Sequence, residues 1–311
     1  MKIMILVNKG FELDGYLDGI DKCIEPEDCP LKLTYRETDV KFGRYSPTSK
    51  YTLESQMGSH SIEEYCINYM FTEEENSSRS DIKFDHLSTL FKGLINSGSL
   101  PDCIISVSTS ESTPDSQGGE GTDKTVNGCV FLGNQFFAYD CRDLDKPPRT
   151  SELDIDHPVM ISEEIFNTFF DVFEKYKELI KVGMISLPNY PAEELFCNAN
   201  SDNVSLGVIN MTDYDSYKDA DEATYVEFKK HIYEKHIPVG LETTHAVVKM
   251  ALEANDETKE IPVLFVSPIV DRYCHFKDDV KGTQNHDGSY NAGVVVANML
   301  VNIRDYFPMD N

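Results

Sequence analysis

The sequence predicts an α/β protein, a single domain of three layers (α/β/α) built on a mixed central sheet. Three observations lead there. The apolar runs are short and β-rich, they alternate with stretches of helical periodicity, and polar or acidic residues stand just after several of them. With 311 residues and 40% apolar content, one core of this class can be buried.

Taken in order, residues 2–7 (KIMILV) form the first expected strand, and Glu12 stands at the start of a first helix. Residues 21–60 and 72–82 are polar, charged and aperiodic, so they read as loops, a polar insertion around 21–82 that includes a helical pattern at 61–71. A helix at 84–96 leads to strands at 102–107, 128–133 and 135–140. The clearest amphipathic helix is SEEIFNTFFDVFEKYKELIK, where Ile165, Phe169, Phe173, Tyr176 and Ile180 share one stripe and Ser162 can cap an acidic first turn. Strands at 181–186 and 205–210, a helix at 220–235, a strand at 236–241 and a helix at 243–254 follow. A strand at 262–267 and a helix at 289–305 are the last expected elements. No internal repeat is visible.

Charge narrows the function classes. Twenty-eight basic against 54 acidic residues give a formal charge of −26, which repels nucleic-acid phosphates and anionic lipid, and no basic patch offsets it. No window of about 18 apolar residues exists to span a bilayer, and MKIMILVNKGFELDG lacks a secretory cleavage site after its apolar run. The eight cysteines are scattered, several inside strand-like runs such as DCIISVS and GCVFLG, as expected of reduced thiols in a cytoplasmic protein. Cys23 and Cys29 are the pair that could join if the protein were exported. Walker A, G-x-G-x-x-G, H-E-x-x-H, CxxC and G-x-S-x-G patterns are all missing, so neither a bound metal nor an α/β-hydrolase nucleophile is expected.

In α/β sheets ligands gather beyond the carboxyl ends of strands. Five such ends carry unusual polar residues: ILVNKGFE with Glu12, IISVSTSEST with Ser108 and Thr109, MISLPNY with Tyr190, VGLETTH with Glu242, and LFVSPIVDR with Asp271. Each has a bland alternative. Glu12 suits the start of a helix, 108–113 can be a capping turn, Tyr190 can pack a loop, Asp271 can pair with Arg272, and His245 on an apolar helix reads as a satisfied core histidine.

Their order along the chain resembles the nucleoside phosphorylase and nucleosidase superfamily, which includes purine nucleoside phosphorylases and methylthioadenosine nucleosidases. The resemblance runs from residue 1 to 305 outside 21–82. IISVSTS stands where the family has a Gly-Thr or Gly-Ser turn, VNGCVFLGNQFFAYD matches its Gly-Asp strand loosely, and KVGMIS precedes the position of its base-stacking aromatic. VGLET aligns with the family's Val-Glu-Met-Glu-Thr strand end, and VSPIVD with its Ile-Ser-Asp. The resemblance implies a phosphorylase/hydrolase-like fold in which Glu242 grips the ribose hydroxyls, Leu241 packs under the sugar and Asp271 contacts the purine.

It also implies cleavage of an N-glycosidic bond in a purine nucleoside or related compound. Charge develops on both fragments there, so a carboxylate is needed at the sugar and a proton donor at the base. An aspartic acid kept protonated by burial suits the second role, and Tyr190 offers a flat face for stacking. Hydrolysis is expected over phosphorolysis. Phosphate needs arginine and a glycine-rich turn, whereas this chain has STSEST and, after its first strand, the acid Glu12, where nucleosidases carry their water activator. No cofactor is implied, only inorganic phosphate as co-substrate if the chain is a phosphorylase; a homo-oligomer is expected. Two departures, Gly240 for the family's first acid and the missing double glycine, keep open a catalytically silent nucleoside-binding or sensor protein, and Arg36 or Arg44 from the insertion could reach a phosphate group.

Overall fold

A strand covered on both faces must be apolar throughout, and KIMILV meets that condition: Lys2–Val7 (β1) is buried at every position after the first. The computed structural model describes residues 1–38, 43–56, 58–75, 80–112, 128–132, 135–139, 159–160, 204–208, 238–272, 283–301 and 303. After β1 come Gly10–Ile24 (α1), Lys32–Thr38 (β2), Ser49–Ser55 (β3), Gly58–Cys66 (β4) and Ser80–Ser97 (α2). Cys103–Val107 (β5), Ser110–Ser112 (β6), Val130–Leu132 (β7), Gln135–Tyr139 (β8), Val159–Met160 (β9) and Val204–Val208 (β10) follow. Pro238–Glu242 (β11), His245–Glu253 (α3), Val263–Arg272 (β12) and Gln284–Val301 (α4) are the remaining elements.

The sheet is mixed, in the order β2-β3-β4-β1-β5-β12-β6-β11-β10-β8-β9, with β7 beside β12. β4, β1, β5 and the first half of β12 run parallel, while β2 and β3 close one edge as antiparallel strands. Alternation along β1 divides the core into two layers. Ile3, Ile5 and Val7 pack with α1 and α4 on one face; Met4 and Leu6 pack with α2 and α3 on the other. This is the expected α/β/α architecture.

Helix α2 shows how local sequence sets an end. Gly98, at a φ of 63°, takes the left-handed turn, the Gly98 N–H reaches the Ile95 carbonyl at 3.0 Å and the Ser99 N–H the Leu94 carbonyl at 2.9 Å. These two bonds make a Schellman cap. Helices α1 and α4 touch backbone to backbone. A Cβ on Gly15 would collide with the His286 carbonyl, one on Gly19 with the Tyr290 carbonyl, and one on Gly293 with that of Tyr16.

Three expectations are overturned. Residues 61–71 are not a helix: 58–66 form β4 and Ile67–Met70 a short 3-10 turn. His60, Ile62, Glu64 and Cys66 are buried in alternation with Ser59, Ser61 and Glu63, and the polar members of the inward row disguise the period of two. Nor is 21–60 loop; β2 and β3 lie there, and Tyr51 and Leu53 belong to the core. The STSEST segment is not a helix-capping turn, because Ser110–Ser112 inserts as β6 between β12 and β11. The expected helices at 162–181 and 220–235 and the strand at 181–186 lie outside the described residues. Cys23 and Cys29 form no disulfide, so the expected alternative of a pair between them is not realised. Among the described residues no helix is long and apolar enough to cross a membrane.

Candidate functional site

Three strand ends meet at the carboxyl edge of the sheet. β1 runs into Asn8 and Lys9 and then α1, whose first turn carries Glu12, wholly buried. One Glu12 oxygen, Oε2, accepts the Lys9 N–H at 3.0 Å and so closes the helix N-terminus. The other, Oε1, accepts the Thr109 hydroxyl at 2.6 Å and the Thr109 N–H at 3.4 Å. The turn after β5 is thereby tied to the first turn of α1. Ser108, beside Thr109, is buried, and its hydroxyl meets no partner among the described residues.

The third strand end is β11. Its last residue, Glu242, is buried and lies just before the N-terminus of α3. Its Oε2 accepts the backbone N–H groups of Thr244 and His245, the latter at 2.9 Å, a use of free helix-start donors that holds the carboxyl in one orientation. Its Oε1 accepts no hydrogen bond from any described residue. Burial raises the Glu242 carboxyl to about 7, against the lowering effect of those two N–H groups and of the Lys83 ammonium.

His245 is the satisfied core histidine of the bland reading. Its ring nitrogens lie 2.9 Å from Ser106 Oγ on β5 and 2.8 Å from Ser267 Oγ on β12, and the Phe265 ring meets it edge-on. Burial depresses it to about 3, so it is neutral and serves to fix the start of α3 and with it the N–H that Glu242 accepts.

Asp271 is buried in the second half of β12. Register runs from Asp271 to Glu111 of β6 and from Glu111 to Leu241 of β11, which sets the Asp271 backbone two strands, roughly 10 Å, from the residue before Glu242. Leu241 lies within β11. Tyr190 lies outside the described residues. Arg36 is engaged elsewhere, donating to Asp21 at 2.7 Å across the Tyr51 ring, and Arg44 is exposed in a turn. Among the described residues no cluster of three or more His, Cys, Asp or Glu is placed to hold a metal ion.

One member of this site escaped sequence reading. Lys83, on α2, is buried with its Nζ among the strand ends of β1 and β11. The signal was present: Lys83, Leu87, Leu90, Phe91 and Leu94 fall at helical spacing on one stripe, and a lysine heading an otherwise apolar stripe is a buried charge.

No family model matches the sequence, and no curated protein is similar enough to count as a relative. Solved structures do match. A 5′-methylthioadenosine/S-adenosylhomocysteine nucleosidase from Neisseria meningitidis, in complex with methylthio-immucillin-A, superposes with a TM-score of 0.53 at 11% identity, covering 96% of this chain and 98% of that one. The futalosine hydrolase of Helicobacter pylori gives 0.52 at 10% identity over 96% and 97%. A purine nucleoside phosphorylase from Toxoplasma gondii in complex with immucillin-H gives 0.50 at 10% identity over 97% and 91%. The chain has the nucleoside phosphorylase and nucleosidase fold. Within this nucleosidase-type fold, Glu12, Ser108, Thr109 and Glu242 gather at one edge of the sheet, and the strand register brings Asp271 to the neighbouring rows.

Proposed function

We propose that the chain cleaves the N-glycosidic bond of a purine nucleoside or a related compound, with water as nucleophile. The observation that carries this reading is Glu242, a buried carboxyl with one oxygen fixed by two backbone N–H groups and the other meeting no donor among the described residues. A buried acceptor without a partner is costly, by about 1–3 kcal/mol, unless a ligand supplies the donor. Ribose hydroxyls are such donors, and the Ser108 hydroxyl, without a partner among the described residues, adds a second polar group there.

The remaining roles follow from charge. Glu12 activates water beside Thr109, and Asp271 donates a proton to the departing base. By the family resemblance, Leu241 packs under the sugar and Tyr190 stacks on the base. The Glu111 carboxyl next to Ser110 and the ion-paired state of Arg36 leave the region poorly suited to a phosphate dianion, which favours water. A silent nucleoside binder is the second reading, favoured by one observation: both oxygens of Glu12 already accept hydrogen bonds within the protein.

One assay tests both. The purified protein is incubated with a panel of nucleosides, with and without phosphate, and free base and sugar products are separated by chromatography. The expected result is free base and free sugar at a rate independent of phosphate, lost in Glu12→Gln while nucleoside binding persists. Sugar 1-phosphate would overturn hydrolysis; binding without any release of base would establish the silent reading.

A further inference from the structure

Burying an ammonium is unfavourable unless acceptors and opposite charge surround it. Lys83 has 1% of its surface exposed, and its Nζ has three protons to place. They find the Asn8 side-chain oxygen at 3.2 Å, the Thr243 carbonyl at 3.0 Å and the Thr244 hydroxyl at 3.1 Å, with the Thr243 hydroxyl farther off at 3.5 Å. Asn8 follows β1 on the way to Glu12, and Thr243 and Thr244 follow Glu242. All of these acceptors are neutral. Neutral acceptors do not balance a buried charge, so the charge of Lys83 needs a further reason. The reason lies in the ionisable groups it faces: Glu242 and Glu12 attract it, and Lys9 repels it.

We propose that Lys83 is a positioning residue of the candidate site, joining the ends of β1 and β11 through Asn8, Thr243 and Thr244 while its ammonium supplies buried positive charge beside the Glu242 carboxyl. This deepens the glycosidic reading and rests on it for the purpose of that carboxyl, though the charge interaction itself does not depend on the ligand's identity. A carboxylic acid at Glu242 would offer a proton of its own and one acceptor fewer, whereas a carboxylate can accept from two sugar hydroxyls. The opposed effects of burial agree with such a pair: desolvation lowers Lys83 to about 8 and raises Glu242 to about 7, and each is partly restored by the other's charge. Among the described residues, Glu12, from α1, also raises Glu242, and the backbone N–H of the neutral His245 lowers it.

A purely structural staple and a charge partner give different titrations. With glutamate labelled at its side-chain carboxyl carbon, the Glu242 resonance is assigned by its loss in Glu242→Gln, and its titration midpoint is followed by NMR. In Lys83→Met the midpoint should move upward by a unit or more, while Lys83→Arg, which keeps the charge but not the compact three-proton geometry, should leave it closer to wild type. An unchanged midpoint in a folded Lys83→Met protein would overturn the proposal. Should that variant fail to fold, the same pairing is read from the other side: the Lys83 Nζ midpoint should fall in Glu242→Gln relative to wild type, since the interaction is reciprocal, and no fall would equally overturn it. If both midpoints move as expected while the wild-type protein binds no nucleoside, the charge interaction stands and the glycosidic reading is lost.

Discussion

Glu242 is the residue on which most of the chemistry hangs. Glu242→Gln preserves shape but replaces a charge-assisted acceptor, and turnover of the cleaved nucleoside should fall by roughly 10²-fold or more, with a loss of thermal stability because the buried Lys83 loses an opposite charge. Steady-state kinetics beside a melting curve checks both halves. Asp271→Asn should behave differently: base binding survives, cleavage falls, and the alkaline limb of the pH–rate profile changes because the proton donor is gone. Both acids were readable in the sequence because each belongs to a short apolar run, and a carboxylate there demands an explanation. Lys83 was not readable by the same rule, since a lysine in a helix is normally counted as surface. Only the apolar residues four, seven and eight positions later mark it as inward. Ser108 and Thr109 were found through their neighbours, but the bond from Thr109 to Glu12 needs two strands to be parallel and adjacent, which no local pattern specifies.

Among the elements, β4 carries the most informative surprise. Its inward row includes Glu64, buried under α1 and accepting the Tyr51 hydroxyl of β3 at 2.6 Å. Burial raises this carboxyl to about 8, opposed by the Tyr51 bond and by Arg36. Because the folded value lies above the 4.5 of a free side chain, the fold holds the proton more tightly than the unfolded chain does. The contribution to stability is therefore full below about pH 4.5 and is lost as pH rises through 8. Glu64→Gln should flatten that part of the stability curve: denaturation midpoints of the two proteins should diverge between those limits, the variant being the more stable at the alkaline end. Equal slopes would mean that Glu64 titrates alike folded and unfolded. The same residue explains why the segment was misread. A strand with His60 and Glu64 facing inward does not alternate apolar with polar, and the spacing of Ile62, Tyr65 and Tyr69 imitates a helix. The parallel strands β1 and β5, whose buried positions hold no charged side chain and only Ser106 as a polar one, were placed within a residue.

The molecule as a whole carries a formal charge of −26, and that field acts on any ligand before a contact forms. Neutral nucleosides are indifferent to it; anions are not. Nucleoside 5′-monophosphates should compete poorly with the matching nucleosides at low ionic strength, and the gap should narrow as salt shortens the screening length to about 10 Å near 0.1 M. Inhibition constants measured across a salt series give the comparison, and a constant ratio would mean that the local site rather than the field excludes phosphate. The α/β class followed from alternating strand and helix patterns, whereas the antiparallel edge of β2 and β3 did not, because edge strands exposed to water carry no continuous apolar run: Leu33 and Tyr35 are exposed, and Lys32, Arg36 and Glu37 stand among them.

The glycine contacts between α1 and α4 make the pair behave as a lever. Gly15 and Gly19 clamp the second and third turns of α1, while its first turn holds Glu12 against Thr109. The clamp leaves no slack for even a methyl group, so Gly19→Ala must drive the helix axes apart, at a cost of roughly 1–3 kcal/mol. The sheet anchors β1, so the movement has to be taken up in the short arm between Val7 and the first turn, where it tilts Glu12 away from Thr109. Glu242 rides on a different arm and stays put. Gly19→Ala should thus slow turnover while leaving nucleoside affinity nearly intact, a catalytic defect set from the far side of a helix by a residue that never meets the ligand.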